Sequence, residues 1–231
     1  MSSADVVAID LGSSRLRLGW AGQQHPQINC ASYISKVRAK GVLVGDLALE
    51  QHNARSPFDG LLCTSFEFLE TLLDNTLSTL SPLTPPSIAM TETIANPWVL
   101  RQPLLELLFE GYQSPFVSLS VDALTAHHAV TQFIPQNSSF STGILVHIGN
   151  RATYTIPITS SGPDMSLCKR IPVGGEQMTS YLGELVSSRN PQFSSCYSLF
   201  FEQLKNSTHS LLLTSTKLSN TTLTQTLNLD D

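Results

Sequence analysis

Charged residues are scarce in this chain, 13% of its 231 residues, where an ordinary soluble protein has roughly 25%. Ser, Thr, Asn and Gln must therefore carry much of its surface. Basic residues are fewer than acidic ones, 13 Lys and Arg against 18 Asp and Glu, and they cluster nowhere. A formal net charge of −5 without a basic patch excludes a direct nucleic-acid face. It also leaves no basic import signal, so residence in the nucleus would require carriage by a partner or a route not readable in the sequence. Cysteine is sparse as well. Cys30, Cys63, Cys168 and Cys196 stand far apart, form neither a CxxC pair nor a disulfide framework, and fit a reducing compartment. Long apolar runs are missing: after Met-Ser-Ser-Ala-Asp the chain is apolar only from Val6 to Ile9. That is too short for a signal-peptide core or a membrane span, which points to the cytosol or nucleus and away from membranes. Without a secretion signal, the Asn-x-Ser/Thr sequons at Asn137, Asn206 and Asn220 carry no weight.

What is present is globular material, 41% hydrophobic, enough for one substantial core or two small ones. Val6 to Ile9 is a short β-branched run that stops at Asp10. Gly12-Ser13-Ser14 supplies a turn and Arg15 to Trp20 alternates, which predicts a β-hairpin. Gly41 to Gly45 reads as a brief strand. Phe66, Leu69, Leu73, Leu77 and Leu80 form a helical stripe that ends where Ser81-Pro82-Leu83-Thr84-Pro85-Pro86-Ser87 begins, and Ile88 to Thr91 follows as a buried strand. Pro103 is expected in the first turn of a helix that starts near Arg101, runs to Glu110 and ends at Gly111. Phe116 to Val121 reads as a strand and Asp122 to Val130 as a short helix with Ala123, Leu124 and Ala126 facing inward.

Beyond polar Gln136 to Ser141 the opening recurs. Gly143 to Val146 reads as a strand, His147 to Arg151 as a turn and Ala152 to Ile158 as a second strand, which predicts a duplicated architecture. Gly174-Gly175 then leads Met178, Tyr181, Leu182 and Leu185 at helical spacing, and another amphipathic stretch covers Cys196 to Leu204. Residues 206–231 are rich in Ser, Thr, Asn and Leu without a clean period and read as a polar, poorly ordered tail.

A hairpin with Asp at its mouth and Gly-Ser-Ser in its turn presents N–H groups and hydroxyls to an anion, while the carboxylate can hold magnesium through water. On that reading Asp10, Gly12, Ser13 and Ser14 are phosphate-binding candidates, although the same letters serve any tight β-turn. Gly174 and Gly175 either let the backbone approach an adenosine or simply make a tight strand-to-helix turn. A lone His at a strand end, such as His147, is more often a hydrogen-bonded structural residue than a metal ligand. His127 and His128 are neighbours on a helix, point apart and cannot jointly chelate an ion, so one is expected buried and one wet. Asp122 and Glu92 have no partner acid or base in sequence and read as helix-start or packing residues. No metal ligand is assigned.

Several segments together resemble the actin family. Ile9-Asp10-Leu11-Gly12-Ser13-Ser14, followed by Gly19-Trp20-Ala21-Gly22 and Pro26, is similar to the family's opening hairpin. Val44-Gly45-Asp46, Thr91-Glu92 with Asn96-Pro97, and Phe109-Glu110 follow in the family's order. Gly143-Ile144-Leu145-Val146 with Thr153 to Ile158 is similar to its second hairpin, and Arg170 through Gly174-Gly175 to Tyr181-Leu182 to its glycine-led helix. Coverage runs from Val6 to Leu204. Within the family, Arg55-Ser56-Pro57-Phe58-Asp59, Asn96-Pro97 with Arg101-Gln102, Glu106 to Glu110, and Asp122 with Cys168-Lys169-Arg170 look most like the fifth class of nuclear actin-related proteins, subunits of Ino-eighty-type chromatin remodellers.

The resemblance implies an actin-like α/β fold of duplicated, ribonuclease-H-like lobes with mixed sheets. Residues 1–135 would form the first lobe, 136–205 the start of a second, incomplete lobe, and 206–231 the tail. It also implies that ATP or ADP, with magnesium, sits between two hairpins, on Asp10, Gly12, Ser13, Ser14, Arg17, Gly149, Asn150, Gly174 and Gly175. Departures from the family pattern bear on catalysis, which needs a carboxylate near the metal and a polar side chain to orient water. His147 and Asn150 stand where actin has aspartates, Val121 where the water-orienting glutamine is expected, and Arg17 where the family has a phosphate-contacting lysine. The implied protein has no catalytic residue. It is a nuclear scaffold, with a possible cytoplasmic pool, that binds a remodeller ATPase and accessory subunits and meets the nucleosome indirectly. The segment between Trp20 and Phe58 is short, so filament self-assembly is not expected. The alternative is an actin-type nucleotide-binding protein with weak ATPase or a cytoskeletal role.

Overall fold

The alternation from Val6 onward folds into a hairpin of β1 (Val6–Leu11) and β2 (Arg15–Trp20), paired antiparallel with Leu11 opposite Leu16. The computed structural model describes residues 6–38, 41–133, 142–193 and 200–205. The lobe boundary at Pro135, the polar stretch Gln136 to Ser141, Cys196, the three sequons and the tail from Asn206 lie outside the described residues. β3 (Ile28–Ala31) extends the hairpin along β2, and β4 (Ile34–Val37) and β5 (Gly41–Val44) form a separate ribbon. A short helix α1 (Asp46–Leu49) leads to a small hairpin of β6 (Phe58–Asp59) and β7 (Leu62–Cys63).

Helix α2 (Phe66–Leu80) delivers the chain to β8 (Ser87–Glu92), which runs parallel to β1, and α3 (Trp98–Glu106) delivers it to β9 (Val117–Val121), parallel to β8. Parallel pairs need such long crossovers. The sheet order is β3-β2-β1-β8-β9. Val7, Ile9, Leu16, Leu18, Ile88 and Met90 are each at most 2% exposed and join Leu69, Leu72, Leu73 and Leu77 of α2 in one core cluster. Thr76, buried on the same helix, satisfies its hydroxyl on the Leu72 and Leu73 carbonyls, as a buried polar group must.

After α4 (Asp122–Phe133) a second sheet follows. β10 (Gly143–Ile148) and β11 (Thr153–Thr159) form a hairpin, and β12 (Gly162–Pro163) and β13 (Lys169–Ile171) both pair with β11, ahead of α5 (Gly175–Arg189). Ile148 lies opposite Thr153 just as Leu11 lies opposite Leu16, so the two hairpins have turns of equal length. Each turn starts with a glycine in the same place. A Cβ on Gly12 would meet the Arg15 carbonyl oxygen at 2.7 Å, and one on Gly149 the Ala152 carbonyl oxygen at 3.1 Å. The duplication extends to backbone geometry.

The covering of the two hairpins differs. Val7 and Ile9 are 0% and 2% exposed, whereas Ile144 and Val146, which correspond to them, are 72% and 53% exposed, and Ile148 is 70% exposed. Among the described residues, β10 pairs with β11 alone. The sheet buries Tyr154 and Ile156 of β11 instead.

Two local expectations are corrected, and the helix expected after Gly174-Gly175 is present as α5. Helix α3 begins at Trp98, not near Arg101, because the Pro97 carbonyl accepts the first helical amides, from Leu100 and Arg101. Pro103 thus falls inside the helix, which widens after it into a π turn over Leu107–Gly111. Ala126 of α4 is exposed, leaving Ala123 buried and Leu124 half-buried. On α5, Met178, Tyr181 and Leu185 are 50%, 62% and 41% exposed, and the inward residue is Thr179.

Chain contacts divide the molecule into residues 1–178 and 179–231. Within the second unit, a side chain at Gly183 would meet the Phe201 ring at 3.2 Å, Phe193 stacks on Phe200 at 5.8 Å, and Lys205 donates to the Thr179 hydroxyl at 2.8 Å. Among the described residues no helix is long and apolar enough to cross a membrane.

Candidate functional site

Asp10 and Arg17 are cross-strand partners in the first hairpin, which places their side chains on one face. Arg17 Nη1 donates to Asp10 Oδ2 at 2.9 Å. Thr91, near the end of β8, donates its hydroxyl to Asp10 Oδ1 at 2.9 Å and accepts the Leu11 N–H at 3.1 Å. Ser32 shapes the turn from below, its hydroxyl donating to the Gly12 carbonyl at 2.6 Å and its amide to the Ser14 carbonyl at 2.9 Å. The Ser13 and Ser14 hydroxyls have no hydrogen-bond partner among the described residues, and both serines are half-buried.

In the second hairpin the register puts His147 where the first has Asp10, and Tyr154 where it has Arg17. These two side chains do not pair with each other; their rings are 6.5 Å apart. His147 Nε2 lies 3.2 Å from Asp122 Oδ2, and the Tyr154 hydroxyl lies 3.1 Å from that of Thr93. The Asp122 hydrogen bond raises the His147 pKa; burial opposes it, and the charges of Asp122 and Asp10 add to it. The other Asp122 oxygen accepts the Ala123 N–H at 2.6 Å, starting α4. Arg151, in the turn, donates through Nη1 to the carbonyls of Gly60 at 2.7 Å and Phe58 at 3.3 Å, and its Nε sits 3.1 Å from Glu176 Oε2.

Gly174 and Gly175 stand directly against that second turn. The amides of Gly175 and Glu176 donate to the Gly149 and Asn150 carbonyls at 3.0 and 2.8 Å, so the first turn of α5 is capped by the hairpin. A Cβ on Gly174 would lie 2.5 Å from both carbonyl oxygens. Gln177 Oε1 accepts the Gly174 N–H at 2.8 Å, the reciprocal half of a capping box. The close approach these glycines permit is therefore to the chain's own backbone.

The structure thus gathers Asp10, Gly12, Ser13, Ser14 and Arg17 in one hairpin, and Gly149, Asn150, Gly174 and Gly175 around the other. Asp10 lies near enough for its charge to act on His147. Glu92 takes Arg101 through both oxygens, at 2.6 and 3.1 Å, and Asn96 at 3.0 Å, which makes it a packing residue that anchors the start of α3. His127 is half-buried and His128 exposed. Sequence reasoning missed Thr91, Thr93 and Arg151 as partners at this site. Thr91 and Thr93 carry no local signal, because their partners are more than sixty positions away in the chain.

The two halves of a nucleotide–metal group fit these residues unequally. The first turn, with two unengaged serine hydroxyls above a glycine-led bend, suits a phosphate. A divalent metal does not suit the carboxylate beside it. Both oxygens of Asp10 are engaged, one by a guanidinium that already neutralises it, and the second hairpin offers a histidine bound to Asp122. Among the described residues no three His, Cys, Asp or Glu side chains converge on a metal position.

Two turn-matched hairpins, each in its own sheet, define a duplicated α/β architecture. The chain belongs to the actin family: the family described as Actin matches residues 1–228. It is similar to Actin-like protein arp5 of Schizosaccharomyces pombe, 34% identical over 197 residues, 81% of this chain and 26% of the relative. It is also similar to Actin-related protein 5 of Saccharomyces cerevisiae, 30% identical over 200 residues, 81% of this chain and 26% of the relative. For Actin-related protein 5 of Homo sapiens the identity is 32% over 203 residues, 80% of this chain and 33% of the relative. The chain thus spans between 26% and 33% of the length of these relatives.

Proposed function

We propose that the chain acts as a non-catalytic actin-related subunit of a chromatin-remodelling complex, in the nucleus, bound to the remodeller ATPase and accessory subunits and supporting nucleosome engagement in transcription regulation and DNA repair. The observation that carries the non-catalytic part is the mouth of the second hairpin. Phosphoryl transfer to water needs a metal-holding carboxylate and a polar group that orients the attacking water. This mouth offers His147, already bonded to Asp122, and the end of β9 offers apolar Val121. The complex itself is proposed from similarity to relatives named Actin-related protein 5. The lobes at 1–135 and 136–205, the tail at 206–231, and the absence of filament assembly are part of the same proposal.

A second reading, nucleotide binding with weak turnover, is favoured by one observation, the unengaged serine hydroxyls of the first turn. ATP or ADP would then rest its phosphates on Gly12, Ser13 and Ser14, with Asp10, Arg17, Gly149, Asn150, Gly174 and Gly175 framing the site. A pull-down of the tagged chain from nuclear extract, with mass spectrometry and a nucleotide assay on the same eluate, tests both. Remodeller subunits recovered without ATP turnover by this chain support the scaffold; a solitary chain that hydrolyses ATP sinks it.

A further inference from the structure

Three side-chain bridges reach the second hairpin, two from the end of the first sheet and one from the small β6–β7 hairpin. Asp122, directly after β9, meets His147 of β10 at 3.2 Å. Thr93, just past β8, meets Tyr154 of β11 at 3.1 Å. Arg151 in the β10–β11 turn reaches the Gly60 carbonyl at 2.7 Å and the Phe58 carbonyl at 3.3 Å. The positions involved make the pattern informative. In the first hairpin the corresponding pair, Asp10 and Arg17, satisfy each other across the strands. In the second hairpin the same two register positions carry side chains that turn away from each other and bond to the opposite sheet's end.

The bridges are unequally shielded: the Arg151–Gly60 bond is exposed, the Thr93–Tyr154 and His147–Asp122 contacts are partly buried. Tyr154 is 4% exposed, and the side chains of His147 and Arg151 are 26% and 15% exposed. Breaking the Thr93–Tyr154 bond would leave the buried Tyr154 hydroxyl unsatisfied, which makes it the most costly of the three to lose. None of the three needs a third molecule to complete it.

We propose that this chain joins its two hairpin-bearing sheets with its own side chains, Asp122–His147, Thr93–Tyr154 and Arg151–Gly60 forming a latch that does the bridging a nucleotide would otherwise do. The proposal rests on reading the two hairpins as the family's nucleotide grip. Its consequence is a cleft whose closure does not depend on nucleotide occupancy, which suits a subunit of fixed shape.

Hydrogen–deuterium exchange read by mass spectrometry on the 231-residue chain tests this, with and without saturating magnesium-ATP. The expected result is equal protection of residues 87–93 and 143–159 in both conditions. The double variant His147→Asn, Tyr154→Phe should then exchange roughly tenfold faster in 143–159, with α2 unchanged. Protection that arrives only with ATP, or a double variant that exchanges at the wild-type rate, overturns the latch. Should the double variant lose protection in α2 as well, Thr93→Val, which removes one hydroxyl at constant shape, replaces it. A severalfold rise confined to 143–159 supports the latch, and no rise overturns it. ATP turnover measured on the same sample bears on the non-catalytic reading alone, so the two fail separately.

Discussion

Asp122 serves two elements at once, one oxygen starting α4 and the other holding His147. Because the bond to Asp122 raises the histidine's pKa in the folded state, the folded chain favours the protonated ring. The stabilisation is then fully present below the unfolded-state value of about 6.5 and is lost as pH rises through the higher folded-state value. The wild-type melting temperature, compared with that of His147→Asn, should show an advantage at pH 5.5 that shrinks by pH 8.5, a change of roughly a few degrees; parallel curves would refute the coupling. Gly174 makes a second residue-scale case. Alanine there would set a methyl group 2.5 Å from two carbonyl oxygens, so Gly174→Ala should lower unfolding free energy by about 2 kcal/mol or more in a urea titration. The sequence left Gly174 open between adenosine contact and a tight turn, and only the position of the Gly149 and Asn150 carbonyls decides what its missing side chain makes room for.

At the scale of elements, what was legible followed from periodicity. Helix α2 occupies Phe66–Leu80, as its leucine spacing predicts, and β1, β2, β8, β9 and the second hairpin fall where short apolar runs meet turn residues. Leu72 was not part of the expected stripe, yet it is fully buried in the core cluster. Leu72→Ala should therefore cost roughly 2–5 kcal/mol, read as a lower denaturation midpoint, and a cost below 1 kcal/mol would show that α2 packs loosely there. Less legible was α3, where Pro103 was expected to mark the first turn; the helix accommodates it internally and relaxes into a π turn. Apolar spacing on α5 marks the helix, yet Met178, Tyr181 and Leu185 are exposed, since periodicity states that a face is apolar and not what covers it. The short pairings of β6, β7, β12 and β13 had no sequence signal at all.

Taken whole, the molecule pairs one well-covered sheet with one whose β10 carries three apolar side chains in the open and no charge beyond His147. Natural edge strands are usually blunted by lysine, proline or bulges, and β10 has none. Val146→Lys should leave thermal stability within about 0.5 kcal/mol while raising the concentration at which light scattering detects self-association; unchanged scattering would show that this face is not adhesive. The same global view explains why the candidate site was only half readable. Asp10, Ser13 and Ser14 announce a turn in a contiguous stretch, but Thr91, Thr93 and Arg151 act through partners brought in by the crossovers.

The leading amides of α5 end on the carbonyls of the β10–β11 turn, so the hairpin supplies acceptors for N–H groups that the helix's own geometry leaves without a partner. Next to a formed hairpin, such waiting acceptors lower the cost of nucleating a helix, a step that is unfavourable for an isolated segment.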